Sequence, residues 1–161
     1  MQGSLLMRGG QYASPPDKVG LATLSALTQR GGGSVAHPDS KLDALLEQLS
    51  ASVEVGAGQQ SISASFACLS EDVAEVVKLF SEVVLTPALP QSKLELYQAQ
   101  ILNLLEHLND DATQVARRRL SQLLYGSESI YARQPRPEVI TAITTQVSDG
   151  RAVAGLHAPW S

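Results

Sequence analysis

The feature that most constrains this chain is a change in the spacing of its apolar residues near residue 52. Residues 61–69 alternate between apolar and small polar side chains, and residues 52–55 alternate in the same way. Gly56-Ala57-Gly58 separates the two runs. A period of two is typical of strands with one buried face. The segment therefore predicts a β-hairpin whose apolar side must be covered by another part of the chain.

Residues before the hairpin predict one strand and two helices. Residues 4–7 read Ser-Leu-Leu-Met and predict a short buried strand. Leucines at every third position from residue 21 predict a helix, which Gly31-Gly32-Gly33 ends. A second helix begins at Pro38, with Ser40 and Asp43 as the expected capping pair.

Residues after the hairpin predict helices only. Their starting signals are Ser70-Glu71-Asp72, Pro90, Asn109-Asp110-Asp111 and Pro137. We expect the leucines of the helices that follow Pro90 and Asp111 to face inward, including Leu104, Leu120, Leu123 and Leu124. The order of elements predicts an α+β fold, an antiparallel sheet covered on one face by helices. We expect residues 1–161 to be one partial domain, incomplete at both ends.

Composition excludes several classes of protein. The chain has 161 residues, 43% of them hydrophobic, which is enough for one compact domain. A net charge of -4 argues against a general nucleic-acid-binding surface. A single cysteine rules out a disulfide framework and a multi-cysteine zinc site. No segment approaches the roughly 18 consecutive apolar residues of a membrane-spanning helix.

The residues by themselves offer no catalytic or metal site. His37, His107 and His157 are far apart in the sequence, and Glu106 beside His107 cannot converge with it on one metal. Cys68 lies on the apolar side of the predicted hairpin and is expected to pack as a small hydrophobic residue.

Two further motifs have plain structural explanations. Arg30-Gly31-Gly32-Gly33-Ser34 follows a helix, whereas a phosphate-binding loop precedes one, so it predicts a helix end and a turn. Arg117-Arg118-Arg119 predicts a solvated face or part of a partner surface, and Asp110-Asp111 predicts a helix start.

The order of segments resembles the N-terminal domain of pitrilysin/insulinase-type zinc peptidases, the group that includes mitochondrial processing peptidase. The resemblance extends over nearly the whole chain and rests on the order of its pieces. These pieces are Gly20-Leu21-Ala22, Gly31-Gly32-Gly33, residues 45–53, residues 68–72, residues 82–87, Asn109-Asp110-Asp111, Leu124-Tyr125-Gly126, residues 131–135 and Ile143-Thr144.

The resemblance also implies where a zinc site would lie. Active members carry His-x-x-Glu-His on the helix that begins Gly-Leu-Ala, with two histidine ligands and a glutamate general base. These positions fall on Thr23, Leu27 and Ala26, and the position of the third ligand, a glutamate, falls on Leu104. The resemblance thus implies no catalytic residue and no metal ligand in this chain. We expect packed leucines in place of a metal cavity.

The resulting expectation is a non-catalytic, zinc-peptidase-like protein. It would be a substrate-binding or structural partner of a zinc-bearing subunit or half in protein processing, with zinc held there and unfolded peptide as a possible ligand. Two alternatives stay open. The chain could be part of an active zinc metalloendopeptidase whose His-x-x-Glu-His lies in another half, or a purely structural assembly subunit. The family's known locations, by resemblance, are organelles and the bacterial envelope.

Overall fold

The computed structural model describes residues 1–144, which form a three-stranded antiparallel sheet and six α-helices. In chain order the elements are β1 (Gln2–Arg8), α1 (Leu21–Gly32), α2 (Ser40–Gln48), β2 (Ser52–Ala57), β3 (Ser61–Ala67), α3 (Val73–Leu85), α4 (Gln91–Glu106), α5 (Ala112–Tyr125) and α6 (Pro137–Ala142). The predicted α+β class is therefore confirmed. Within residues 1–144, none of the helices combines the length and apolar character needed to cross a bilayer.

The predicted hairpin forms the centre of the sheet, in the order β1-β3-β2. Alternate side chains of the hairpin, including Val53 and Ala64, are buried, while Ser63 and Ser65 are not. Cys68 follows β3 directly and is buried, as predicted. The period of two therefore does separate a buried face from an exposed one.

A strand forms at residues 4–7 as predicted, as part of β1, but the prediction that this strand is buried is wrong. Strand β1 pairs with β3 along one side only, so it is an edge strand within residues 1–144. Leu6 pairs with Ser63 and shares its face of the sheet, and its side chain is 73% exposed. Leu6 stays exposed because no described helix covers its face of the sheet.

Helices α1, α2 and α3 cover the apolar face of the sheet. Their buried side chains form one cluster with those of the hairpin: Ala26, Leu42, Leu46, Val53, Val55, Ile62, Ala64, Leu79, Val83 and Val84. Gln29 is also buried, and its Nε2 donates a hydrogen bond to the Val83 carbonyl at 2.9 Å. This bond satisfies a carbonyl in the last turn of α3 and joins α1 to α3.

A second core lies on the other side of α1. Leu21 and Leu24 of α1 pack there with Leu94 of α4 and with Ile140 and Ile143, which lie in and just after α6. Helix α1 is therefore buried between two apolar clusters, which makes it the central helix of the fold.

Of the two predicted helix caps, one forms as predicted and the other does not. Asp111 caps α5 as predicted, because its Oδ1 accepts hydrogen bonds from the backbone N–H groups of Thr113 and Gln114. The pairing of Ser40 with Asp43 is wrong. Asp39 occupies the cap position of α2, and the Asp43 carboxylate instead accepts a hydrogen bond from Arg30 at 2.9 Å. A tertiary partner has replaced the local one.

Helix α5 does not face inward as predicted. None of its residues is buried, and Leu120, Leu123 and Leu124 are all exposed. The leucines are spaced correctly for an apolar face, but no other part of residues 1–144 covers that face.

Truncating a buried leucine to alanine should reduce stability much more than truncating an exposed one. We expect Leu24→Ala to lower the free energy of unfolding by about 2–5 kcal/mol, because it leaves a cavity between α1 and α4. The control Leu123→Ala should change it by less than about 0.5 kcal/mol, since Leu123 is 84% exposed. Urea unfolding of the full-length variants measures both values. Similar losses in the two variants would contradict this assignment of the core.

Candidate functional site

The three motif positions on α1 occupy different environments. Ala26 is buried in the cluster beneath the sheet, whereas Thr23 and Leu27 are half-buried. Helix α1 contacts α4 closely near its end, where a Cβ on Gly31 would lie 2.0 Å from Tyr97 Oη. Glycine at position 31 thus leaves room for the Tyr97 side chain of α4 against α1.

Leu104 does not pack into the site as expected. The face of α4 that packs in the second core presents Leu94, Tyr97, Ile101 and Leu105. Leu104 lies about 100° around the helix from Leu105, and its side chain is 66% exposed. The expectation of packed leucines is therefore wrong at this position. Leucine spacing alone could not distinguish Leu104 from Leu105.

The donor set of the four positions is poor for a metal. Thr23 contributes one hydroxyl, and Ala26, Leu27 and Leu104 contribute no polar side-chain atom. Protein zinc sites use cysteine, histidine, aspartate or glutamate side chains. Within residues 1–144, no group of three or more such side chains is placed to hold a metal ion.

A polar cluster that the sequence did not predict lies at the opposite end of α1. Glu82 Oε2 on α3 accepts hydrogen bonds from Ser34 Oγ at 3.1 Å and pairs with His37 Nδ1 at 2.7 Å. The His37 backbone N–H donates to Ser34 Oγ at 2.9 Å. His37 and Glu82 are separated by 45 positions in the sequence, so no local pattern predicted this contact.

The geometry of this cluster favours a structural role. The Ser34 hydroxyl donates to Glu82, and Ser34 is 0% exposed, so its hydroxyl is not accessible to a substrate. Two backbone bonds join the same segments, from Val35 N to Thr86 O and from Ala88 N to Gly33 O. The cluster therefore fastens the loop after α1 to the end of α3.

Glu82 is held in its charged form by this cluster. Burial by itself would raise the pKa of Glu82, but the hydrogen bonds from His37 and Ser34 and the charges of His37 and Lys78 outweigh it. The net result is a pKa lowered from 4.5.

The other candidate residues lie neither at the four motif positions nor in the cluster of Ser34, His37 and Glu82. His107 pairs with Asp110 at an exposed turn, at 2.8 Å. Arg118 donates to the Leu108 carbonyl and to Asn109 Oδ1 and thereby closes the turn between α4 and α5. Helix α1 ends at Gly32, with Gly33 at a φ of 69°, so the glycine run does end the helix. His157 lies outside the described residues.

The sequence profile of the insulinase family, peptidase family M16, matches residues 4–133. The chain belongs to this family. The match includes α1 and α4, so both helices that carry the candidate positions lie within the insulinase-family region. The comparison with curated proteins gives no match.

Solved structures of insulinase-family and other proteases have the same fold. The inactive domain of a peptidase M16 from Pseudomonas fluorescens is 25% identical, with a TM-score of 0.81 over 90% of this chain and 35% of its own. The periplasmic protease PqqL from Escherichia coli is 13% identical, with a TM-score of 0.74 over 95% and 16%. A protease from Helicobacter pylori is 11% identical, with a TM-score of 0.76 over 97% and 37%. The chain thus spans between 16% and 37% of the length of these three structures.

Replacing Glu82 should reduce the acid sensitivity of folding. Because the pKa of Glu82 is lowered from 4.5 in the folded protein, its ionised form stabilises the fold above that pH. The contribution is lost as the pH falls below 4.5 and through the lowered value. We expect the free energy of unfolding of Glu82→Gln to fall less between neutral and acid pH than that of the wild type, as measured by urea unfolding.

The control for this experiment is Glu54→Gln, at an exposed position on the helix-free face of the sheet. It should keep the wild-type pH dependence. An equal loss of stability in wild type and Glu82→Gln would contradict the role given to the cluster.

Proposed function

We propose that this chain is a non-catalytic, insulinase-family half that serves a zinc-bearing half or subunit as its structural or substrate-binding partner. The observation that carries the proposal is that the chain has the family fold but has residues that cannot bind zinc at the positions expected to be catalytic. Thr23, Ala26, Leu27 and Leu104 stand where the family resemblance expects two histidines and two glutamates.

The chemistry of these side chains supports the absence of catalysis. Zinc-assisted hydrolysis needs about three protein ligands to hold the ion and a base to accept a proton from the attacking water. Leucine offers no lone pair, and the Ala26 methyl group cannot accept a proton. A single threonine hydroxyl at position 23 supplies neither the charge nor the number of ligands.

The most similar of the three structures supports the same proposal. The Pseudomonas fluorescens protein is an inactive domain of peptidase M16, and it shares 25% of its residues with this chain over 90% of the chain. A fold kept without catalysis is consistent with selection for its surfaces and not for its zinc site.

A second candidate function is favoured by the length of the related structures. This chain spans 16% of PqqL, a periplasmic protease. A longer polypeptide could carry His-x-x-Glu-His in another half, and the chain would then be the non-catalytic part of an active zinc metalloendopeptidase. The presence of that motif elsewhere in the full-length sequence would decide for this candidate.

Zinc content tests the main proposal directly. The protein, purified without chelator and dialysed against trace zinc, should retain close to none by atomic emission and should show no chelator-sensitive peptide hydrolysis. One tightly held zinc per chain would contradict the proposal. His37→Ala, His107→Ala and His157→Ala would then locate the ligands.

A matched variant tests the positions themselves. The combined substitution T23H/A26E/L27H/L104E restores the family motif, and we expect it to bind zinc that the wild type does not retain. A restored variant that stays free of zinc would contradict the assignment of these four positions.

A further inference from the structure

The outer edge of strand β2 has backbone groups that point away from the sheet. Gly58 N donates to Ser61 O at 2.8 Å, so these residues form a hydrogen-bonded pair next to the turn of the hairpin. Hydrogen-bonded and non-hydrogen-bonded pairs alternate along an antiparallel ladder. The register therefore places Val53, Val55 and Ala57 in non-hydrogen-bonded pairs with β3. Their N–H and C=O groups face the outer edge, where β2 has no partner strand within residues 1–144.

Arg30 occupies one of these outward groups. Its side chain extends from the last turn of α1, and its Nε donates a hydrogen bond to the Val53 carbonyl. Its Nη1 donates to Asp43 Oδ1 on α2 at 2.9 Å. The guanidinium is therefore fixed by two contacts and joins α1, α2 and the edge of β2.

The position of the guanidinium matters because an open strand edge is a template for extended polypeptides. An added strand would lie about 4.8 Å from β2 and would donate its N–H groups to the outward carbonyls. The Arg30 guanidinium already stands on that side of Val53 at hydrogen-bonding distance. An incoming strand cannot use the Val53 carbonyl without displacing Arg30 from it.

We propose that Arg30, held by Asp43, closes the edge of β2 against the addition of an extended peptide. With the Val53 carbonyl occupied, the outward groups of Val55 and Ala57 span only about three residues, the lower end of ordinary strand lengths. This inference rests on the proposed function. Of the two proposed roles, structural and substrate-binding, it assigns the structural one to this edge of the chain.

The test compares peptide binding by full-length wild type, Arg30→Met and Lys41→Met. Methionine keeps an unbranched apolar stem but removes the donors of Arg30. Lys41→Met makes the same loss of charge at an exposed position on α2. The probe is a fluorescein-labelled peptide of about 10 residues, the upper end of ordinary strand lengths, with alternating valine and serine and a lysine at each end.

We expect Arg30→Met to bind this peptide about three- to tenfold more tightly than wild type or Lys41→Met, by fluorescence anisotropy, because the edge regains one hydrogen-bonding position. Hydrogen exchange of the complex should show new protection of the Val53, Val55 and Ala57 amides. Equal affinity in all three proteins, or no binding by any of them, would overturn the proposal. So would protection confined to another part of the chain.

A second variant keeps the test decisive if Arg30→Met fails to fold. Asp43→Asn retains Arg30 but removes the charge that anchors it, and it should raise peptide affinity in the same direction by a smaller factor. An unchanged affinity would overturn the proposal. Failure of the proposed function has a separate signature, chelator-sensitive hydrolysis by the wild type, and that result does not alter the comparison between variants.

Discussion

The rest of the structure depends on covering one face of a small sheet. Strands β2 and β3 turn Val53, Ile62 and Ala64 to the same side, and this apolar surface is stable only when it is removed from water. Helices α1, α2 and α3 cover it, with Leu42 and Val83 fully buried in the contact. Helix α1 also packs against α4 on its other side, in the second cluster, so α1 links the apolar packing of the hairpin to the helix that carries the remaining candidate position.

Because the fold depends on apolar packing, it can persist without a zinc site. The clusters on both sides of α1 use residues such as Leu24 and Ala26, and their burial requires no metal. Hydrogen bonds at the far end of the helix, from Gln29 to α3 and within the cluster of Ser34, His37 and Glu82, fix its end independently of the candidate positions. The proposed absence of metal ligands is therefore compatible with an intact scaffold and with a role that depends on surfaces.

Much of the fold could be predicted from local sequence patterns, and the predictions that were wrong have a common cause. The hairpin, the helix starts and the Asp111 cap follow from interactions within a few residues of each other. Burial of Leu6, Leu104 and Leu123 was predicted wrongly because side-chain spacing states which residues share a face, and not whether anything lies against that face. The replacement of the local Asp43 cap by a bond from Arg30 is a tertiary contact of the same kind.

The sequence by itself determined the α+β class and the order of the elements, because these properties depend on periodicity. It also determined that Thr23, Ala26, Leu27 and Leu104 offer almost no metal-binding atoms, because that property depends on residue type alone. Only the tertiary structure decided which apolar faces are covered, where Glu82 finds its partners and which backbone groups of β2 remain at an open edge. Those properties depend on contacts between residues far apart in the chain. Such contacts form because apolar burial brings the elements together, and the sequence carries no local signal for them.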